Sequence, residues 1–87
     1  MPYILPEQRK RLDIGLATLI ELIKEEATAG ELNYAITKLC IAKMDNTYSY
    51  ARINNIIGVL ECVKQEFYRR LAVPYENEKA EENGDVY

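Results

Sequence analysis

Tyrosine and arginine are the residues of this chain whose placement invites chemistry. Seven tyrosines stand against one phenylalanine and no tryptophan, and several adjoin arginine: Tyr48 and Tyr50 lie near Arg52, and Tyr68 directly precedes Arg69 and Arg70. A tyrosine ring is a flat apolar body with a polar tip, suited to interfaces and to stacking on a planar group. A guanidinium pairs with a phosphate or carboxylate through parallel N–H groups. Together Tyr68, Arg69, Arg70, Tyr48, Tyr50 and Arg52 are candidates for binding a small nucleotide-type anion. The competing reading is that the tyrosines cover the rim of a thin core and the arginines act as favourable cations at a helix C-terminus. Adjacent helical positions point about 100° apart, so one of Arg69 and Arg70 is expected to face such a pocket. The other is expected to be solvated or to pair with the acidic C-terminal residues.

Catalytic constellations are sparse. The chain has no histidine, which removes the commonest general base and metal ligand together. It has no Cys-x-x-Cys and no glycine-rich phosphate loop. Carboxylates are what is left: Glu21 and Glu25 share a helical face with Glu26 beside them, and Glu61 and Glu66 follow later. Oxygen ligands on facing helices suit Mg²⁺, as in helical nucleotide pyrophosphohydrolases. The first three predicted helices carry none of the Glu-x-x-Glu or Glu-x-x-Asp pairs of those enzymes, however. Glu21 and Glu25 read better as a solvated face, and Glu61 is placed to pair with Lys64. The expectation is a protein with no catalytic residue, metal or cofactor.

These groups must be positioned by helices. Pro6 suits a helix start, since its missing N–H would be unpaired there. Leu12, Leu16, Leu19 and Ile23 form one stripe of 3.6-residue period, and Gly30 reads as a stop signal. A second helix carries Leu32, Ile36 and Leu39 and ends in the turn-favouring Met44-Asp45-Asn46-Thr47. A third carries Ile53, Ile57, Leu60, Phe67 and Leu71. Pro74 disfavours a helical Val73, so this helix should end or kink there before a short polar helix closing at Asn83-Gly84. The predicted helices span about 6–28, 31–43, 47–72 and 74–82 of a single helical domain covering residues 1–87. No segment alternates with period two, so no sheet is expected.

Residues 75–87 carry Glu76, Glu78, Glu81, Glu82 and Asp85 against Lys79 alone, an excess of four carboxylates in a chain of formal charge −3. The acidity therefore belongs to the tail, either a solvated end or a docking segment. An isoelectric point near 5.0 argues against nucleic acid as a partner. Cys40 and Cys62 sit in apolar helical patterns and read as small buried hydrophobes. No leader peptide or membrane span is visible, which places the chain in the cytoplasm.

The predicted lengths do not match. The outer helices run roughly 33 and 38 Å and the middle one roughly 20 Å, too short to cover both stripes. The centre of helix three, Ile56-Ile57-Gly58-Val59-Leu60, is apolar nearly all round, which implies burial all round. A second copy of the chain is the simplest cover, with Ile56, Gly58, Val59 and Val63 as the expected interface. Gly15 and Gly58, inside helices at a cost of ~1 kcal/mol each, suggest close approach of another helix.

The segment from Asn54 to Lys64, running on through Phe67-Tyr68-Arg69-Arg70, and the ending from Pro74-Tyr75-Glu76 through Asn83-Gly84-Asp85-Val86-Tyr87, resemble a small uncharacterised family of tailed phages and bacterial and metagenomic sequences. The resemblance covers roughly residues 5–87 and carries no activity or catalytic residue with it. It implies a phage or mobile-element protein acting in the host cytoplasm, where small helical proteins often act by binding. The sequence thus predicts an all-α three-helix bundle with a short middle helix and a polar C-terminal helix, assembling as a homo-oligomer. The expected function is non-catalytic binding, either sequestering a nucleotide-type anionic signal or blocking a host defence protein. A structural or regulatory oligomer with a docking acidic tail is the alternative, and a divergent Mg²⁺-dependent pyrophosphohydrolase the third reading.

Overall fold

The computed structural model describes residues 4–24 and 26–87, so Tyr3 and Glu25 lie outside it. The described residues contain helices and turns and no strand, which makes the chain all-α. It divides into two units, Met1–Thr47 and Tyr48–Tyr87.

The first unit holds α1, Pro6–Ile23, and α2, Ala29–Met44. At the start of α1 the Leu5 N–H donates to Gln8 Oε1 at 2.7 Å, which satisfies a donor that the helix itself leaves open. The predicted extension of this helix to residue 28 is corrected: Lys24 leaves helical geometry at φ −29°, ψ −127°. The reason is local. Thr28 is the N-cap of α2, its Oγ1 accepting the Glu31 N–H at 3.1 Å while Glu31 Oε1 accepts the Thr28 N–H at 3.0 Å. This reciprocal capping box starts α2 two residues before the predicted position and places Gly30 in its first turn, not at a helix stop. The middle helix is consequently not short: α2 has 16 residues against 18 in α1. It ends where Asp45 and Asn46 take left-handed φ of 50° and 59°, a conformation their short polar side chains tolerate.

The second unit is one helical run in three parts. The first is α3, Tyr50–Phe67; a π turn follows over Tyr68–Ala72, and then α4, Val73–Asn83. Thr47 does not begin α3 as predicted, because Ser49 takes the cap and its Oγ accepts the Arg52 N–H at 3.2 Å. Nor does the helix stop ahead of Pro74, since Val73 is helical at φ −63°, ψ −49°. A proline removes one N–H and crowds the carbonyl four residues back. The π turn accommodates both: the Val73 N–H donates to the Tyr68 carbonyl five residues earlier, widening the helix just ahead of the ring. The run closes at Gly84, whose φ is 84°, the position that Asn83-Gly84 predicts.

Met44, 6% exposed, is the buried hydrophobic residue among those described. Leu19, Ile23, Ala35 and Ile56 are half-buried, while Leu12, Leu16, Ile20, Leu32, Ile36, Leu39, Ile53, Ile57, Leu60 and Phe67 are exposed. The apolar stripes predicted from periodicity are present on each helix and largely uncovered.

Candidate functional site

Within the second unit the predicted ligand residues fall into two groups. Tyr48, Tyr50 and Arg52 lie at the start of α3, and Tyr68, Arg69 and Arg70 at its far end. The 18 residues of α3 span about 27 Å, so one copy of the unit does not gather all six around one small ligand.

At the far end Glu66 organises the arginines. Its side chain is 22% exposed, and it accepts Arg69 Nη2 on Oε1 at 3.0 Å and on Oε2 at 2.9 Å, with Arg70 Nε on Oε2 at 2.9 Å. Residues three and four positions along a helix flank the residue behind them, which is how two neighbouring arginines reach one carboxylate. Both arginines pair with Glu66 and both remain largely exposed, so the solvated alternative describes them better than pairing with the acidic tail. The hydrogen bonds from Arg70 and then Arg69 hold the Glu66 carboxyl below its ordinary value. Tyr68 belongs to a separate contact, its hydroxyl donating to Glu76 Oε1 at 2.9 Å. That bond to a carboxylate raises the Tyr68 hydroxyl above its usual value of 10.0.

Glu66 and Glu76 are the residues that sequence reasoning missed as organisers. For Glu66 the three- and four-residue spacing to Arg69 and Arg70 was a usable signal. For Glu76 there was none, because its alignment with Tyr68 depends on the π turn. Elsewhere Glu61 pairs with Lys64 at 3.1 Å, as their spacing predicts, and Glu21 pairs with Lys24 at 2.9 Å. Lys64 and then Gln65, donating to Glu61, lower its carboxyl. The acidic segment is helical through Asn83, and there the Lys79 ammonium lies 5.6 Å from the centre of the Tyr75 ring and 3.3 Å from Glu82 Oε2.

The residues expected at an interface do not share one face. On α3, Ile56 and Val63 lie about 20° apart and Val59 about 60° from Ile56, whereas Gly58 is about 160° round the helix from Ile56. A Cβ added at Gly58 or at Gly15 meets no atom within 4 Å, so the close approach expected at these glycines is not made among the described residues. Both cysteines are free thiols, Cys40 half-buried and Cys62 exposed, which corrects the expectation that both are buried.

The first unit offers a different kind of site. An apolar groove of about 240 Å³ runs between α1 and α2, touching Leu16 and Ile20 on one side and Leu32, Ile36 and Leu39 on the other. Leu16 stands about two turns before the connecting segment and Leu39 about three turns after it. One groove reaches both because the helices fold back on each other as a hairpin.

Among the described residues no three cysteine or carboxylate side chains converge as a metal site, and no helix is long and apolar enough to cross a membrane. Fold and site define an all-helical protein with amphipathic helices and uncovered apolar faces. The chain belongs to the family described as a domain of unknown function (DUF6899), whose model matches residues 1–86, in agreement with the resemblance to an uncharacterised family. No curated protein and no solved structure matches the chain.

Proposed function

We propose that this protein is a non-catalytic, self-associating helical binding protein. The observation that supports this most is the exposure of its apolar stripes. In a chain with 48% hydrophobic residues, Met44 is the buried hydrophobic residue among those described. Apolar burial drives folding and most association alike, and a helix stripe left in water forgoes roughly 1.5–3 kcal/mol for each Leu or Ile that burial would stabilise. Association completes the bundle that the periodicity predicts. The resemblance to small phage proteins favours action by binding a host molecule over catalysis.

Light scattering behind size exclusion at micromolar concentration tests this reading. An oligomer is expected, and a clean monomer of 10.0 kDa overturns it. Hydrolysis of a nucleotide panel in the presence of Mg²⁺ or Mn²⁺ would overturn the non-catalytic part.

A second reading, a small nucleotide-type anion held near Arg69 and Arg70, is favoured by one observation. The bonds to Glu66 use Nη2 of Arg69 and Nε of Arg70, so two exposed guanidiniums share one carboxylate and one positive charge is in excess. Mass spectrometry of molecules that co-purify with the protein tests it, with a phosphate-bearing ligand as the expected result.

A further inference from the structure

We propose that the α1–α2 hairpin is a dimerisation unit whose groove is covered by the same groove of a second copy, running antiparallel, to form a four-helix bundle. This rests on the self-association proposed above and names the surface and the arrangement.

The groove is lined by Leu, Ile and Ala side chains of both helices together with Lys24 just past α1, and it is open: Leu16, Ile20, Leu32, Ile36 and Leu39, and Leu12 one turn further along the stripe, are each between 37% and 55% exposed. Covering these together with half-buried Leu19 and Ile23 removes at most roughly 1,000 Å² from water over two copies, about the least that a biological interface should clear. Hairpins whose apolar stripes face one another bury them as a four-helix bundle, and two identical hairpins do so about a two-fold axis.

Charge selects both the occupant and its direction. Because the helices fold back, the start of α1 and the end of α2 lie at one end of the hairpin and the connecting segment at the other. The open end carries Arg9, Lys10, Arg11 and Lys43 against Glu7, Asp13 and Asp45, one cation in excess. The turn end carries Glu21, Glu26 and Glu31 against Lys24 and Lys38, which lines a cavity there with Thr28 and Glu31, one described carboxylate in excess. All of these residues are exposed. A parallel partner would set like charges together at both ends. An antiparallel copy sets each basic end beside an acidic turn, so the hairpin is complementary to itself in that one orientation.

Two charge variants that leave the groove untouched test the proposal. One carries Glu21→Lys and Glu26→Lys, the other Arg9→Glu, Lys10→Glu and Arg11→Glu, with helix content checked by circular dichroism. Sedimentation equilibrium should show each variant alone associating about tenfold or more weakly than the parent, and an equimolar mixture recovering parental affinity. Parental affinity in each variant alone overturns the antiparallel arrangement. An Ile36→Asp variant is expected to lose the dimer. An Ile36→Asp dimer as tight as the parent's overturns the groove as the interface while leaving self-association standing. A parent that stays monomeric at tens of micromolar overturns both proposals.

Discussion

The Tyr68 hydroxyl donates to Glu76 Oε1 at 2.9 Å across eight residues of chain. Residues eight apart on an uninterrupted α-helix point about 80° away from each other. The π turn between them adds one residue to a turn, so their effective separation is near seven positions and the angle falls to about 20°. The same turn that admits Pro74 thus brings the tyrosine and the carboxylate onto one face, and the hydrogen bond spans the proline.

Removing that bond should loosen the π turn specifically. In Tyr68→Phe, amide exchange at Val73, whose N–H closes the turn, is expected to accelerate while exchange in α2 is unchanged. Tyrosinate absorbance supplies the pH arm. The folded value of Tyr68 is raised, so the stabilisation is complete below the unfolded value and is lost as pH rises through the folded one. Glu76→Gln should bring the ionisation of Tyr68 back toward 10.0.

Glu66 should behave with the opposite sign. Its folded value is lowered by Arg70 and Arg69, so its contribution is present above the unfolded carboxylate value and is lost as pH falls through the folded one. Carboxyl carbon shifts followed by NMR should show Glu66 titrating below 4.5. In a variant with both arginines changed to glutamine it should return to the ordinary range.

The capping box between α1 and α2 gives a pair of predictions in opposite directions. Thr28→Ala removes the side chain that accepts the Glu31 N–H and should destabilise by about 1 kcal/mol. Gly30→Ala should stabilise by roughly 0.5–1 kcal/mol, because the position is helical and the new methyl group would rest 3.7 Å from Thr28 Oγ1. Thermal melts of the two variants decide it; a less stable Gly30→Ala would restore the helix-stop reading.

Gly58 offers a similar test on the second unit. A Cβ there meets open space on the side of α3 turned away from Ile56, so Gly58→Ala should raise stability by up to about 1 kcal/mol and leave the oligomer mass unchanged. A drop in mass would show that a neighbouring copy packs against this face.

Periodicity and punctuation in the sequence determined the helical class, the apolar stripe of each helix, the close of the chain's last helix at Gly84 and the pairing of Glu61 with Lys64. Each follows from spacing along one helix, where residues three, four or seven apart must be neighbours. The boundary at Thr28 was also written there, as Thr28-x-x-Glu31, and was masked by the stronger stop signal of Gly30; what decided between them was which backbone N–H groups found side-chain acceptors. Pro74 was read as a break because the sequence does not show that a π turn would relieve its clash. That turn in turn decided that Glu76 meets Tyr68. Tertiary structure also decided that the stripes stay exposed. A stripe records which side of a helix seeks burial, whereas the surface that covers it is set by packing in three dimensions.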